Sequence, residues 1–388
     1  MRAITVFRKT LREMSRDAWM LGLTLAFAPF FVLLYYLITA GGSTTYTILT
    51  INNDKGIQLA DGTTLHAGRE AVAALTSVTY ADGQPLLKSV PAADLAEAEP
   101  ILRNRGAAAF ILIPENFSQT LTSLQSGDRS VTTQITFGGD VSNPYYMVGV
   151  NLSLTAIDGY VMQATGQQPL IGYVEKPLGA SAARTEFETY VPGTLIFAVI
   201  LLIFLASMTV AREIETGTLR RLQLTPMNSL DYLGGVTAAL VLVGTAAFAL
   251  AFGVALMVGF RSQGSLLAAL LVGAVTCLSV IGLGMVVASF TRTVSQAFIV
   301  ANFPMAMMMF FSGVVYPLPK IVLFTLGGHE IGLYDILPTT HAVAALNKIL
   351  TLGADLGEIT FELSALAILS AIYFFIGVWM FKSIHLRS

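Results

Sequence analysis

Six stretches of the sequence lack Asp, Glu, Lys and Arg and are long enough to cross a bilayer as a helix. They cover residues 18–53, 189–211, 232–260, 262–291, 293–319 and 363–381. A helix needs about 20 apolar residues to span a hydrocarbon core about 30 Å thick. Charged residues form 12% of the chain, whereas soluble domains carry about 25%, so much of the protein surface must face lipid.

The first stretch is predicted to be an uncleaved membrane anchor, with a transmembrane helix over residues 18–40. A signal peptide has an apolar region of about 7–15 residues followed by a cleavage site of small residues. The apolar stretch here is longer, and Thr39-Ala40-Gly41 is a poor cleavage site. Residues 1–17 carry five basic side chains and are predicted to lie on the cytoplasmic surface as an amphipathic segment.

Residues 41–189 have a different character, with eight Lys or Arg and fourteen Asp or Glu. Strand-like runs appear at residues 47–51, 109–113 and 131–137. Helix-like periodicity appears at residues 92–105, 115–126 and about 145–163. A segment of this size can bury its own core. The predicted fold class is therefore an α-helical polytopic membrane protein with six transmembrane helices and an inserted mixed α/β domain between helices 1 and 2.

The rest of the chain, residues 190–388, is predicted to form transmembrane helices 2–6. Their expected positions are about 190–211, 233–260, 266–290, 294–316 and 363–381. Two longer connections are expected, a loop at residues 212–231 and an outer segment at residues 317–362. Pro and Gly residues interrupt helical periodicity in the outer segment.

The distribution of Lys and Arg predicts the orientation of these helices. If the N-terminus is cytoplasmic, the short inner segments carry eleven basic residues and the short outer loops carry three. Cytoplasmic loops are enriched in Lys and Arg, whereas long domains cross the membrane largely regardless of charge. The sequence therefore predicts a multi-pass protein of the plasma (inner) membrane with both termini cytoplasmic and residues 41–189 extracytoplasmic.

Motifs for catalysis and metal binding are absent from the sequence. No Lys follows a Gly, so there is no phosphate-binding loop, and Leu333 occupies the position where a zinc motif beginning at His329-Glu330 requires its second His. One cysteine, Cys277, allows neither an intrachain disulfide nor a thiolate cluster. We therefore predict no catalytic residue, no metal site and no cofactor-binding residue in this chain, and no nucleic-acid partner.

The loop after the second apolar stretch has the most informative pattern. Glu213 and Glu215 precede two arginines, and Leu219 and Leu222 are spaced to share one face of a helix. A short amphipathic helix ending at Pro226 fits this pattern. From composition alone, a charged loop that only sets the topology is the simpler interpretation.

The same loop, Glu213-x-Glu215-x-Gly217-Thr218-Leu219-x-x-Leu222-x-x-Thr225-Pro226, resembles the signature of the ABC-2-type transporter permeases. Segments in the same order along the chain resemble other parts of that family; they are residues 51–56, 108–118, 190–193, 312–317 and, less closely, 337–340. The resemblance covers nearly the whole chain, and only the loop is specific by itself.

The resemblance implies that this loop is a coupling helix that docks on a separate cytoplasmic ATP-binding subunit. Transferred residue by residue, the implied contact set is Glu213, Glu215, Gly217, Thr218, Leu219, Leu222, Thr225 and Pro226. ATP would then bind to the partner subunit, with no cofactor in this chain. Six helices are half of the usual set, which implies a second permease copy or a paralogue in the bilayer. Arg220 stands where such permeases often have an acidic residue.

The predicted function is a permease subunit that exports a hydrophobic or amphipathic substrate. The alternative is a membrane-anchored extracytoplasmic receptor or assembly protein without transport activity. A secondary transporter is the third interpretation, and it is weakened because intramembrane ion relays need charged residues that the predicted helices lack. The sequence identifies neither the substrate nor the residues that contact it.

Overall fold

The structure is a computed structural model that describes residues 2–39, 44–59, 62–80, 83–128, 130–167, 184–219, 228–315 and 318–385. It divides into two compact units. The first, called the membrane unit, comprises Met1–Ala40 and Pro177–Ser388, and the second, called the inserted unit, comprises Gly41–Lys176.

Helices dominate the described residues, and they are numbered in chain order. They are α1 (Arg2–Arg16), α2 (Ala18–Thr39), α3 (Ala67–Leu75), α4 (Leu95–Arg103), α5 (Phe117–Gln125), α6 (Pro144–Thr165), α7 (Glu186–Ile200), α8 (Leu202–Glu215), α9 (Ser229–Met257), α10 (Leu266–Ser289), α11 (Val294–Phe311), α12 (Pro338–Leu352) and α13 (Thr360–His385). The strands are β1 (Tyr46–Asn52), β2 (Ile57–Gln58), β3 (Thr64–Leu65), β4 (Leu87–Pro91), β5 (Ala109–Ile113), β6 (Thr136–Gly138), β7 (Val322–Leu326) and β8 (His329–Gly332).

The predicted number of six membrane-crossing helices is confirmed within the described part of the chain. Helices α7 and α8 together form one of the six, interrupted at Leu201. Some of the observed helices begin before the charge-free stretches in the sequence, because charged residues take part in capping these helices. Thr185 and Glu188 form a capping box at the start of α7, and Asn228 and Asp231 form another at the start of α9.

Small residues bring α10 close to two neighbouring helices. A Cβ atom added to Gly284 would lie 2.6 Å from the Cβ of Ala206 on α8, and one added to Gly377 of α13 would lie 2.9 Å from the Cβ of Met285. Serine hydroxyls add hydrogen bonds between α10 and α13, including one from Ser289 Oγ to the carbonyl oxygen of Gly377 at 3.3 Å. Helix association in lipid depends on this kind of close packing and interhelical hydrogen bonding.

The inserted unit is built on a four-stranded sheet in the order β4-β1-β5-β6. Strand β1 is parallel to β4 and β5, and β6 is antiparallel to β5. One face of the sheet packs in a core that includes Ile48, Ala71 and Leu121 from β1, α3 and α5. The other face packs Leu49 in a core with Leu102 from α4. Because both faces of β1 are covered, its buried residues run without a break from Ile48 to Ile51 rather than alternating.

Several elements differ from those that the sequence pattern predicts. Strand β6 covers residues 136–138 rather than 131–137, and helix α3 and strand β4 were not predicted. Strand β4 is an edge strand with Lys88 and Ser89 at its centre, so it lacks the apolar run that identifies a buried strand. The outer segment contains the hairpin of β7 and β8, a 3-10 turn and helix α12, none of which the sequence pattern predicts.

A single carboxylate joins the N-terminal ends of α3 and α5. Asp54 Oδ1 accepts the backbone N–H of Ser118 at 2.9 Å, and its Oδ2 accepts the N–H of Gly68 at 3.0 Å and the hydroxyl of Ser118 at 2.6 Å. Burial raises the pKa of Asp54, but the hydrogen bonds from Ser118 and Gly68 outweigh it and hold the pKa below its usual value. The charged form is therefore the one that stabilises the inserted unit.

Asp54→Asn should destabilise the inserted unit locally by about 1 kcal/mol, the typical loss for a helix cap. The measurement is hydrogen exchange at neutral pH in the full-length protein, where amides of α3 and α5 should exchange several-fold faster. Because the pKa of Asp54 is depressed, its contribution is present above the ordinary carboxyl pKa and is lost as pH falls through the folded-state value. The matched control is the exposed Asp158→Asn on α6, and equal protection in both variants would contradict the assignment.

Candidate functional site

The predicted coupling loop begins in the last turn of α8, and the structure describes it as far as Leu219. Leu222, Thr225 and Pro226 of the predicted contact set lie outside the described residues, as do Arg220 and Arg221. The described part contains the C-terminal end of α8. Gly217 has φ +71°, a left-handed conformation that glycine adopts readily after a helix terminates. Thr218 follows it, partly buried, and Leu219 is buried.

Glu213 forms an ion pair with the N-terminal helix. Its Oε1 lies 2.5 Å from Lys9 Nζ on α1, and its side chain is 16% exposed. Lys9 also lies 3.3 Å from Glu13. Burial lowers the pKa of Lys9, but the hydrogen bond and charge of Glu213, together with Glu13, raise it above its usual value. Glu213 therefore connects the end of α8 to α1.

Glu215 contacts a different element. Its Oε2 accepts the backbone N–H of Val294 at 2.8 Å, at the first residue of α11. This N–H is one of those that an isolated helix leaves without a partner, and a negative charge at a helix N-terminus is stabilising. The two glutamates, two residues apart on α8, thus bind two helices that are far from each other in sequence.

Helix α1 is held by apolar packing as well as by Lys9. Val6, Thr10 and Met14 are its buried residues, and their spacing of four places them on one face. A Cβ atom added to Gly235 of α9 would lie 2.6 Å from the Cβ of Val6, which shows how closely the two helices approach. The sequence predicts an amphipathic segment here but does not identify Lys9 as a partner of the loop. The spacing of Val6, Thr10 and Met14 is the signal that identifies the buried face.

Two cavities adjoin these contacts in the membrane unit. The first, called the polar cleft, has a volume of about 740 Å³, and its lining includes Arg16, Asp17, Arg212 and Glu213. The second, called the apolar groove, has a volume of about 440 Å³ and is lined by Leu23, Thr24, Phe27, Ala28, Ala198, Val199, Leu201, Leu202, Phe204, Leu205, Met208, Gly244, Ala247, Phe248 and Phe298. Met208 lines both cavities. The apolar groove has no charged side chain in its lining and includes Leu201, where α7 and α8 are separated.

A second polar cluster lies at the other end of α7. Arg184 donates from Nη2 to the carbonyl oxygens of Leu350 at 2.5 Å and Arg261 at 3.0 Å. Its guanidinium lies 5.2 Å from the ring centroid of Phe260. Glu188 accepts the backbone N–H of Arg261 at 3.2 Å. The cluster joins the start of α7 to the connection between α9 and α10 and to the end of α12, where a cation complements the helix dipole.

Both glutamates of the predicted contact set are thus engaged by other parts of the same chain. Their contact with an ATP-binding subunit stays a prediction, as do the contacts of the other six residues. The described geometry gives Glu213 and Glu215 a connecting role, since each joins the start of the loop to a separate helix. No group of His, Cys, Asp or Glu suitable for a metal ion occurs among the described residues.

The chain matches the model of a known protein family. The model of a family described as ABC-2 family transporter protein matches residues 18–379. The match begins at the first residue of α2, ends within α13 and includes the inserted unit and the predicted coupling loop. No curated protein matches the chain.

Reversing one charge of the Lys9–Glu213 pair should release α1 from the end of α8. Lys9→Glu or Glu213→Lys alone places two like charges in a partly buried contact, and either should raise hydrogen exchange of α1 amides by an order of magnitude or more. The double variant restores an opposite-charge pair and should recover much of the protection. Arg12→Glu, an exposed reversal on α1, is the control, and equal effects of all three single reversals would contradict a specific pair.

Proposed function

Because this chain belongs to the ABC-2 family of transporter proteins, we propose that it is the membrane-spanning permease subunit of an ABC transporter. In this proposal a separate cytoplasmic subunit binds and hydrolyses ATP and docks on residues 212–226. The permease works with a second copy of itself or a paralogue in the plasma (inner) membrane. The termini and the loop face the cytoplasm, and residues 41–189 form an extracytoplasmic domain, as the distribution of Lys and Arg indicates.

The observation that carries the coupling proposal is the pair of contacts made by Glu213 and Glu215. A force applied to the loop acts on α1 through Lys9 and on α11 through the N–H of Val294. Changing a two-state site from 1:99 to 99:1 requires about 5.5 kcal/mol of differential binding. A hydrogen bond to a charged group contributes about 1.5–3 kcal/mol. In this proposal ATP binding in the partner subunit supplies that difference, and the two contacts transmit the resulting movement of the loop to two helices.

The cavities support a hydrophobic or amphipathic substrate. The apolar groove, at about 440 Å³, lies within the range of 300–1,000 Å³ that is usual for small-molecule sites. Its lining contains no ionisable side chain, and the adjoining polar cleft has both acidic and basic residues. A molecule with an apolar body and a charged end would match this pair of cavities. We propose that the direction of transport is export, as the resemblance of the loop implies.

One observation favours the alternative of an extracytoplasmic receptor or assembly protein. The inserted unit has a cleft of its own, about 600 Å³ in volume, between α4 and the sheet; its lining includes Leu102, Arg103, Phe110 and Asp140. A ligand or partner protein could bind there without transport. This alternative predicts no associated ATPase activity, so the coupling experiment below separates the two functions.

The double variant Glu213→Gln with Glu215→Gln should uncouple the transporter. We expect the purified complex to retain its ATP-binding subunit but to lose the difference in ATP hydrolysis rate between the complex and the free subunit. The reason is that glutamine removes both charges that join the loop to α1 and α11, and each single variant should have a partial effect. The matched control is Glu358→Gln, an exposed glutamate of the membrane unit.

Three outcomes of that experiment have distinct meanings. Loss of the ATP-binding subunit from the double variant would place these glutamates in the docking contact itself. A rate difference equal to that of the wild type would refute the coupling role. Absence of any ATPase from the mildly solubilised wild-type protein would favour the receptor alternative.

Cysteine labelling tests the proposed orientation. In a Cys277→Ala chain, Ser130→Cys of the inserted unit should react with a membrane-impermeant maleimide in intact cells. Thr216→Cys, near the end of α8, and Lys382→Cys, near the end of α13, should react only after permeabilisation, because both positions are expected to face the cytoplasm. Reaction of Thr216→Cys in intact cells would place the loop away from ATP and would overturn the proposed function.

A further inference from the structure

The hairpin of β7 and β8 exposes a row of large apolar side chains. Ile321, Val322, Leu323, Phe324 and Leu326 are each between 45% and 64% exposed. A contiguous apolar patch of this kind on a folded protein marks an interaction site with a membrane or another protein. A membrane or another protein is therefore expected to cover these apolar side chains.

This exposure belongs to a well-defined hairpin rather than to an irregular loop. Gly327 and Gly328 form the two-residue turn with φ values of +58° and +83°, which suits the twist of paired strands. At the base, Asp335 Oδ2 accepts the N–H of Gly332 at 2.8 Å and lies 3.4 Å from Lys320 Nζ. The N–H of Leu333 bonds to the carbonyl oxygen of Ile321 at 2.9 Å. These contacts fix the shape in which the apolar side chains are presented.

The two faces of the hairpin tip differ in polarity. The strand register pairs Phe324 with Ile331 and Leu326 with His329, and these pairs share one face. The intervening pair, Thr325 with Glu330, lies on the opposite face. The tip thus has one mainly apolar side and one polar side, and this is the distribution that suits a boundary between water and lipid.

The apolar face adjoins an exposed apolar stripe of α13. The His329 ring stacks on Phe361 with centroids 4.1 Å apart, near the start of that helix. Further along α13, Ile368, Ile372 and Phe375 are 60%, 45% and 59% exposed. Their spacing from Phe361 places them on the same side of the helix. An exposed apolar stripe on a membrane-crossing helix is suited to contact with acyl chains, and the hairpin lies next to it.

We propose that the hairpin tip lies in the membrane interface, with Phe324 and Leu326 between the lipid headgroups and the acyl chains. Thr325 and Glu330 face water, and Lys320 lies at the level of the headgroups. The tip stays at the interface because the outer edges of a two-stranded ribbon carry backbone groups that the hydrocarbon core cannot satisfy. The inference goes beyond the proposed function and requires only that the chain is a membrane protein.

Insertion at this position would fix the depth of helix α12. The His341 ring on α12 makes a 2.9 Å hydrogen bond with the carbonyl oxygen of Asp335 at the base of the hairpin. Tyr334, in the same short turn, stacks on Phe311 at the end of α11 with centroids 5.4 Å apart. The hairpin therefore acts as a surface anchor for the connection between the last two membrane-crossing helices.

Nitroxide accessibility in the full-length protein tests the proposal. Phe324→Cys, Leu326→Cys, Thr325→Cys and Glu330→Cys are made singly in a Cys277→Ala chain, spin-labelled and reconstituted into phosphatidylcholine vesicles. Labels at 324 and 326 should collide several-fold more with oxygen than with a water-soluble nickel chelate, because oxygen concentrates in lipid. Labels at 325 and 330 should show the reverse preference.

Two control positions calibrate the measurement. Ile372→Cys on α13 gives the value for lipid contact, and Ser130→Cys on the inserted unit gives the value for water. All four hairpin positions are exposed, so the labels do not disturb the core, and an unchanged elution profile checks the fold. Low collision with both reagents at 324 and 326 would mean that a second copy or another protein covers the patch. High collision with the nickel chelate there would mean that the patch lies in water. Either result would overturn the proposal.

Discussion

The contact of α10 with α8 and α13 is the interaction on which the membrane unit depends. In lipid, apolar side chains gain little by leaving one apolar surrounding for another, so helix association relies on close packing and hydrogen bonds. Gly284 and Gly377 permit that approach, and Ser289 bonds across it to the backbone of α13. Helix α8 is thereby held against the centre of the bundle, and the predicted coupling loop emerges from a fixed helix end.

Charged residues at the ends of α7 and α8 connect several elements of the membrane unit. At the end of α8, Glu213 and Glu215 engage α1 and α11. At the start of α7, Arg184 and Glu188 engage the connection from α9 to α10 and the end of α12. The membrane-crossing helix formed by α7 and α8 thus has a polar cluster at each end. Leu201, where the two helices are separated, lines the apolar groove. Under the proposed function, this helix pair conveys movement from one polar cluster to the other.

The inserted unit is stabilised by different interactions from those of the membrane unit. Its stability comes from a sheet covered on both faces and from the Asp54 carboxylate, which satisfies backbone groups at the starts of two helices. The sequence predicted β1 and β5, because a strand covered on both faces is rich in apolar and β-branched residues. It did not predict β4, whose central residues are polar, or α3, whose alanines and single leucine give a weak periodic signal. Such elements acquire their structure from the neighbours that they pack against.

The sequence by itself determined the number of apolar helices, and it predicted a polar insertion after the first of them. Those features depend on local hydropathy and on the length needed to cross a bilayer, so a single stretch of chain contains the whole signal. It also singled out Glu213 and Glu215 as candidate functional residues, because they belong to the loop that resembles a family signature and not because their contacts could be predicted. Only the tertiary structure decided that Lys9 and the N–H of Val294 are their partners. These groups lie about 200 and 80 residues away along the chain, and no local pattern records a pairing that arises when distant helix ends meet.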